Sequence, residues 1–518
     1  MARRVLLDHR SLTLEAVGLV ADGGARVSLS PRSLRRMNAA RAVVQRALAD
    51  DRPTYGVNTG FGHLSDVRIP LAQVRALQVN LIRSHAAGVG EPLGPGETRA
   101  AMLLRAHVLA QGHSGTRPLV ARRLLAMLNA DILPVIPCQG SVGASGDLAP
   151  LAHLALGLIG EGEVQVRGRR QPASRALAAA GIPPVRLEAK EGLSLINGTQ
   201  IMTAIGALAL LEAESLLVHG DIAGAMSLEA LRGSAKPFDQ RIHDVRPHAG
   251  QAASARNLRR LLARSAIMES HRDCARIQDS YALRCMPQVH GAARAAAGAA
   301  RAVLAVEINA ATDNPLVFPE AGAAGRRGAG TMIPGGNFHG QPVAVALDAL
   351  ALALVGFASI SERRIDRLVN PLVSELPAFL VPDVGLNSGF MLAQVTAAAL
   401  VSESKALSHP ASVDSIPTSA NKEDHVSMGP IAARKAAAIV TNLRRVLAIE
   451  ILAAAQALDF LTPLRPAAAV AAVRDRVRRD VPFMKRDRVL ARDIATVESL
   501  ILSGALRGAA ESEAGRLA

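Results

Sequence analysis

Two long segments, Val343–Ile360 and Ile431–Leu461, are rich in Ala and Leu. Both residues are good helix formers, so these stretches read as helix rather than strand. Aromatic residues make up only 2% of the 518 residues and Trp is absent, so the 49% that is apolar is mostly aliphatic. The expectation is an all-α, mainly helical protein with a core large enough for several domains or one interwoven fold. Mean hydropathy is +0.21, which raises the question of membrane spans. A span needs about 20 predominantly apolar residues. Val343–Ile360 carries Asp348, and Ile201–Val218 carries Glu212 and Glu214, so no membrane segment is expected. The start, Met1-Ala2-Arg3-Arg4 followed by Val-Leu-Leu-Asp, is too short for a signal peptide. Three cysteines, Cys138, Cys274 and Cys285, are no disulfide framework. A cytoplasmic protein is expected.

The 59 basic and 44 acidic residues leave a net charge of +15, carried almost entirely by Arg. Clusters lie at Arg167–Arg170, Arg256–Arg264 and Arg474–Arg479, the last interleaved with Asp475 and followed by Asp480 as on a solvated helix face. Single-strand recognition stacks bases on aromatic rings, and two Tyr and nine Phe make a poor platform. No nucleic-acid partner is expected. No 20–50-residue repeat is present. Turn signals punctuate the first two hundred residues, with a candidate hairpin at Glu161–Arg169, and helical patterns follow, broken at Pro315–Gly336 and Pro371–Gly389. Gly322–Gly330 reads as a mobile surface loop. Two domains are expected, a loop-rich 1–215 and a helical bundle over 216–518.

The most unusual segment is Gly140–Pro150, Gly-Ser-Val-Gly-Ala-Ser-Gly-Asp-Leu-Ala-Pro, before an apolar helix starting near Leu151. It is no nucleophile elbow, because Asp147 stands where the last Gly of Gly-x-Ser-x-Gly belongs. It is no phosphate loop either, lacking the Lys-Ser/Thr pair. One reading is a tight turn with Asp147 capping the helix that follows. Another is chemical. Gly146 bears no side chain to shield its nitrogen, which can bond to the Ala144 carbonyl carbon and close a five-membered ring. Loss of two waters, one involving the Ser145 hydroxyl, leaves a conjugated exocyclic methylene, a strong electrophile.

Seven segments, in order, carry a resemblance over nearly the whole chain: Tyr55–Gly62, Gly143–Pro150, Gly192–Thr199, Gln278–Cys285, Asp313–Pro315, Gly336–His339 and Ser419–Ser427. The chain resembles the aromatic amino-acid ammonia-lyases that carry a 4-methylideneimidazol-5-one (MIO) group. The resemblance implies a helical lyase, assembled as a homotetramer whose active sites take loops from three subunits. It implies MIO at Ala144-Ser145-Gly146, no metal or nucleotide, and an amino-acid substrate. Tyr55 matches the base for the β-proton, although a phenol with pKa near 10 needs a site that lowers it. Arg284 matches the fork that holds the substrate carboxylate. Tyr281 and Asn197 match residues that position the electrophile and amine, and Gln278 and Phe338 match polar and packing neighbours. The Ser84-His85 pair, Glu423 and Met391 resemble the histidine-specific members. Some tyrosine aminomutases share the Ser-His pair, so Glu423 carries the discrimination. The implied reaction is elimination of ammonia from L-histidine to trans-urocanate, the alternative being a tyrosine or phenylalanine lyase or 2,3-aminomutase of the same type. Lys422, Gln341 and His63 depart from the familiar pattern. The spacing His271-x2-Cys274-x10-Cys285-x4-His290 offers zinc-type ligands, but it overlaps a segment the resemblance assigns to substrate.

Overall fold

The computed structural model describes residues 3–9, 11–50, 53–274, 276–320 and 329–518. Among them are twenty α-helices and four small sheets of two or three strands. The Ala/Leu-rich segments form two of the longest helices, Gln341–Val369 and Gly429–Asp459, the second ending two residues before Leu461. The candidate hairpin is formed by Glu163–Val166 and Arg169–Pro172, paired antiparallel. Its tip, Arg167-Gly168, has φ of 50° and 78°, the left-handed pair a two-residue hairpin requires. Leu316–Pro319 pairs with Gly330–Ile333 across the break after Pro315. Of the expected surface loop, residues 322–328 lie outside the described residues.

Two compact units emerge, each of three segments. The first is Met1–Leu211, Ala300–Asp348 and Pro410–Arg434, and the second is Glu212–Ala299, Ala349–His409 and Lys435–Ala518. The expected division was a single cut after residue 215. Long helices carry the chain out of each unit and back, which a boundary drawn on composition does not register.

By length and composition alone, Gln200–Ala230 and Gln341–Val369 suffice to cross a membrane, contrary to the reading that their acidic residues exclude it. Burial distinguishes them: 72% and 61% of their most apolar windows is covered by the protein. Asp348 is buried, and its carboxylate accepts the Ser412 N–H at 2.7 Å. The same helix exposes Pro342, Val345, Ala349, Leu352 and Gly356 at alternating three- and four-residue spacing, a single face without a charge. The Met391–Leu407 helix likewise exposes Leu392, Val395 and Ala399. Arg474, Arg476 and Arg478, in the Ala468–Asp480 helix, pair with Asp475, Asp480 and Asp459. Of the zinc-type spacing, His271 turns both ring nitrogens to the carbonyls of Ile267 and Gly233, and His290 turns Nδ1 to Asp221. Among the described residues no group of three or more His, Cys, Asp or Glu is placed to hold a metal.

Candidate active site

The Pro137–Gln139 strand pairs antiparallel with Val89–Pro92 and delivers the chain into the glycine-rich loop. The helix after it begins at Leu148, three residues before the expected start. Gly146 has φ +76° and bridges Gly198, and a methyl group at 146 would collide with the Gly198 carbonyl oxygen. Gly143 has φ +68°, and a Cβ there would collide with the Ser427 hydroxyl. Both positions therefore require glycine. The Asp147 N–H donates to Gly198 O at 2.7 Å and closes this contact.

Asp147 occupies the N-cap position of its own helix, but its side chain makes no capping hydrogen bond there. Its Oδ2 instead accepts the Ile201 and Met202 N–H groups at 2.8 and 3.0 Å. The side chain thus caps Gln200–Ala230, whose positive end favours a carboxylate, and locks the loop to a second element. Burial pushes Asp147 up to about 7, against the two N–H groups, Arg105 and Ser141. Arg105, fully buried, donates to the Ser194 and Asn197 carbonyls at 3.0 Å each and fixes the turn before that helix.

The facing wall is Ser412–Met428. Ser427 Oγ donates to Gly143 O at 2.9 Å and the Met428 N–H to Val142 O at 2.8 Å. Thr418 and Glu423 exchange backbone hydrogen bonds around a turn in which Ser419, Ala420 and Asn421 all have positive φ (52°, 52° and 63°). Left-handed backbone costs about 1–2 kcal/mol at each such residue. The turn aims Glu423 at the glycine-rich loop: Ser145 Oγ donates to Glu423 Oε1 at 2.7 Å and Thr418 Oγ1 to Oε2 at 2.8 Å.

These elements enclose a cavity of about 750 Å³ lined by Tyr55, His85, Ser145, Asn197, Phe338 and Glu423, among others. Asn197 Nδ2 donates to the Ser145 carbonyl at 3.2 Å, while its buried Oδ1 has no partner among the described residues. Burial pushes His85 below its ordinary pKa, opposed by the Leu81 carbonyl and the Glu423 charge, and Ser84 Oγ lies 3.1 Å from its Nδ1. Tyr55 departs from expectation. Burial, with Glu423 and Asp313, raises its pKa, and only a hydrogen bond from the Gly62 backbone opposes them. The surroundings within this chain make the phenol a weaker acid, where a base at this position needs the reverse.

Six sequence-predicted positions, with Ala144 and Gly146 of the loop, are thus brought together in the first unit. Gln278, Tyr281 and Arg284 belong to the second unit and do not line this cavity. Tyr281 is 71% exposed, with the Arg284 guanidinium 4.6 Å from its ring centroid. Sequence reasoning passed over Thr418, Ser427 and the structural reach of Asp147. The first lies just before the Ser419–Ser427 block, and its role needed the fold. His339 and His425, stacked at 5.8 Å, and Lys422 also line the cavity. The site suits ring closure at residues 144–146: the loop is bent at Gly146, no side chain shields its nitrogen, and Asn197 holds the Ser145 carbonyl.

Residues 12–479 match the family model described as aromatic amino acid lyase. A histidine ammonia-lyase of Myxococcus xanthus (strain DK1622) is 56% identical over 509 residues, covering 98% of this chain and 99% of that protein. Among solved structures, histidine ammonia-lyase from Trypanosoma cruzi matches with TM-score 0.90 at 46% identity, covering 98% of this chain and 95% of that one. Tyrosine aminomutase from Streptomyces globisporus matches with TM-score 0.92 at 39% identity, covering 99% and 100%. The chain belongs to the aromatic amino acid lyase family.

Proposed function

We propose that this lyase eliminates ammonia from L-histidine to give trans-urocanate, using MIO formed from Ala144-Ser145-Gly146. One observation carries the reading: the Glu423 carboxylate contacts Ser145 at 2.7 Å in a cavity that His85 also lines. A carboxylate and a neutral imidazole suit a substrate ring with an N–H donor, and a phenyl ring would leave both unpaired. The relatives named histidine ammonia-lyase support the same substrate.

In forming the group, Gly146 N bonds to the Ala144 carbonyl carbon. That oxygen leaves as one water and the Ser145 hydroxyl as the other. MIO supplies an electrophilic carbon that makes departure of a poor amine leaving group feasible. Asn197 positions the substrate amine through its unpartnered Oδ1. Tyr55 takes the β-proton as a phenolate, which requires neighbouring copies of the chain to offset the burial and the Glu423 and Asp313 charges that raise its pKa, and Phe338 packs against the substrate. His85 and Glu423 hold the imidazole. Arg284 binds the carboxylate as a bidentate fork, and Gln278 and Tyr281 complete the site from neighbouring copies of the chain in a homotetramer. The exposed Tyr281 and the exposed apolar Val345, Leu352, Leu392 and Val395 support such assembly, and three free cysteines accord with a cytoplasmic enzyme.

The likeness to a tyrosine aminomutase keeps a second reading in view, a 2,3-amino shift on tyrosine. Incubating the enzyme with histidine, tyrosine and phenylalanine separates the two. Ammonia release with urocanate absorbance from histidine is expected, and a β-amino acid from tyrosine, with histidine inert, would overturn the proposal.

A further inference from the structure

Glu423 has two oxygens, and the structure gives each one hydroxyl donor. Oε1 takes Ser145 and Oε2 takes Thr418. The two donors differ in what becomes of them under the proposed chemistry, on which this inference rests. The Ser145 hydroxyl departs as water when the ring forms, whereas the Thr418 hydroxyl stays. Completion of the prosthetic group therefore releases one acceptor oxygen of Glu423 and leaves the other tethered.

We propose that Thr418 is the positioning residue for Glu423, holding Oε2 so that the Oε1 given up by Ser145 faces the cavity and accepts the substrate's imidazole N–H. The Ser145 hydroxyl occupies beforehand the place that the N–H takes later. The local backbone is built for this. Thr418 and Glu423 form an antiparallel bridge, closed by Thr418 N–H to Glu423 O at 2.9 Å and Glu423 N–H to Thr418 O at 3.3 Å. The left-handed run 419–421 between them brings the threonine hydroxyl within 2.8 Å of a carboxylate five residues on. An untethered Glu side chain would rotate freely once Ser145 had lost its hydroxyl, and its ordering would fall to each substrate encounter. Thr418 is half-buried beside the cavity and touches no reacting atom in this scheme, so its effect passes through Glu423.

Ser145→Ala removes the hydroxyl and the electrophile together, so ligand binding can be measured at equilibrium without turnover. In that background, calorimetry with L-histidine and L-phenylalanine compares Thr418 with Thr418→Val, which keeps the shape and deletes the hydroxyl, and Thr418→Ser, which restores it. The expected result is about ten-fold weaker histidine binding for Thr418→Val, equivalent to ~1.4 kcal/mol. Phenylalanine binding should change less than about two-fold, and Thr418→Ser should return to the starting affinity. If Val disturbs the turn, Thr418→Ala gives the same comparison. Equal histidine affinities, or equal weakening of both ligands, would overturn the role of Thr418. A Ser145→Ala protein that itself prefers phenylalanine would instead overturn the histidine reading, and that failure is visible before Thr418 is touched.

Discussion

Asp147→Ala withdraws the acceptor shared by the Ile201 and Met202 N–H groups at the buried start of Gln200–Ala230. A buried donor left without a partner costs about 1–3 kcal/mol. Two such donors make the first turn easier to open by roughly 30-fold to 20,000-fold. Asp147→Asn keeps an oxygen with two lone pairs and loses chiefly the charge–dipole attraction, about 0.3–1 kcal/mol and up to ~2 when buried. Its opening should therefore rise by about two-fold to at most about 30-fold. Hydrogen exchange read on a peptide covering residues 198–206 measures this directly. Because the Asp147 side chain also ties the glycine-rich loop to the start of that helix, the Ala variant, which keeps only the backbone N–H to Gly198, should retain a larger fraction of unprocessed chain in its intact mass. The pH dependence has a definite sign. The native carboxyl is raised to about 7 from an unfolded value near 4, so its contribution to stability is complete below pH ~4. It is lost as pH rises toward 7, by at most about 4 kcal/mol. Asp147→Asn should flatten stability across that window. Wild-type exchange in Asp147→Ala, or a wild-type pH slope in Asp147→Asn, would refute the reasoning.

Wild-type protein should weigh two waters less than its translated sequence, and Ser145→Ala should assemble at full mass with turnover reduced by several orders of magnitude; a full-mass, fully active wild type contradicts this. His85→Leu with Glu423→Gln should cut the preference for histidine over phenylalanine by two to four orders of magnitude in kcat/KM, from about 1–3 kcal/mol for each buried polar group. Steady-state kinetics on both substrates tests it, and an unchanged ratio counts against imidazole recognition. Mixing inactive Ser145→Ala with inactive Tyr281→Phe should restore activity if separate copies supply them, whereas Ser145→Ala with Tyr55→Phe, which share one cavity wall, should not. Glu229 is raised to about 7 by burial, with the Ser265 hydroxyl and the Ala467 N–H opposing. It therefore erodes stability as pH climbs from about 4.5 to 7; Glu229→Gln should show a flatter dependence of Tm on pH, and an identical curve would discount it.

What was legible beforehand follows from how local each signal is. Helix runs of Ala and Leu and a hairpin near Glu161–Arg169 are written in adjacent residues; the structure forms both, with the hairpin's second strand running on to Pro172. The tight turn at Gly143–Gly146 was readable from its closely spaced glycines, both of which have positive φ. The reading in which Asp147 caps the helix beside it fails because its donors lie 54 and 55 positions onward, and nothing in a linear pattern ranks two available helix ends. The environment of Tyr55 was hidden for the same reason: Glu423 and Asp313 act on it from segments hundreds of residues away. Ser419-Ala-Asn421 carries no glycine, so its left-handed path had no compositional mark. The three-segment units could not be drawn by a single cut, since residues 300–348 and 410–434 return to the first unit after long helical excursions.

The clasp of Gly146 on Gly198 gives the molecule a memory. Ring closure needs the bent loop, and the bend is held by contacts with residues more than fifty positions away. If MIO forms as proposed, a chain can acquire it only after it has folded once. The bond made and the waters lost would not be returned when the fold is undone, so the covalent structure would record that history. A newly synthesised chain and a matured chain that has been denatured would then be different substances of the same sequence. Refolding the second would begin with residues 144–146 already fixed in a planar ring, and with Glu423 lacking the hydroxyl that first met it. The two journeys to the native state therefore need not share a rate or a route.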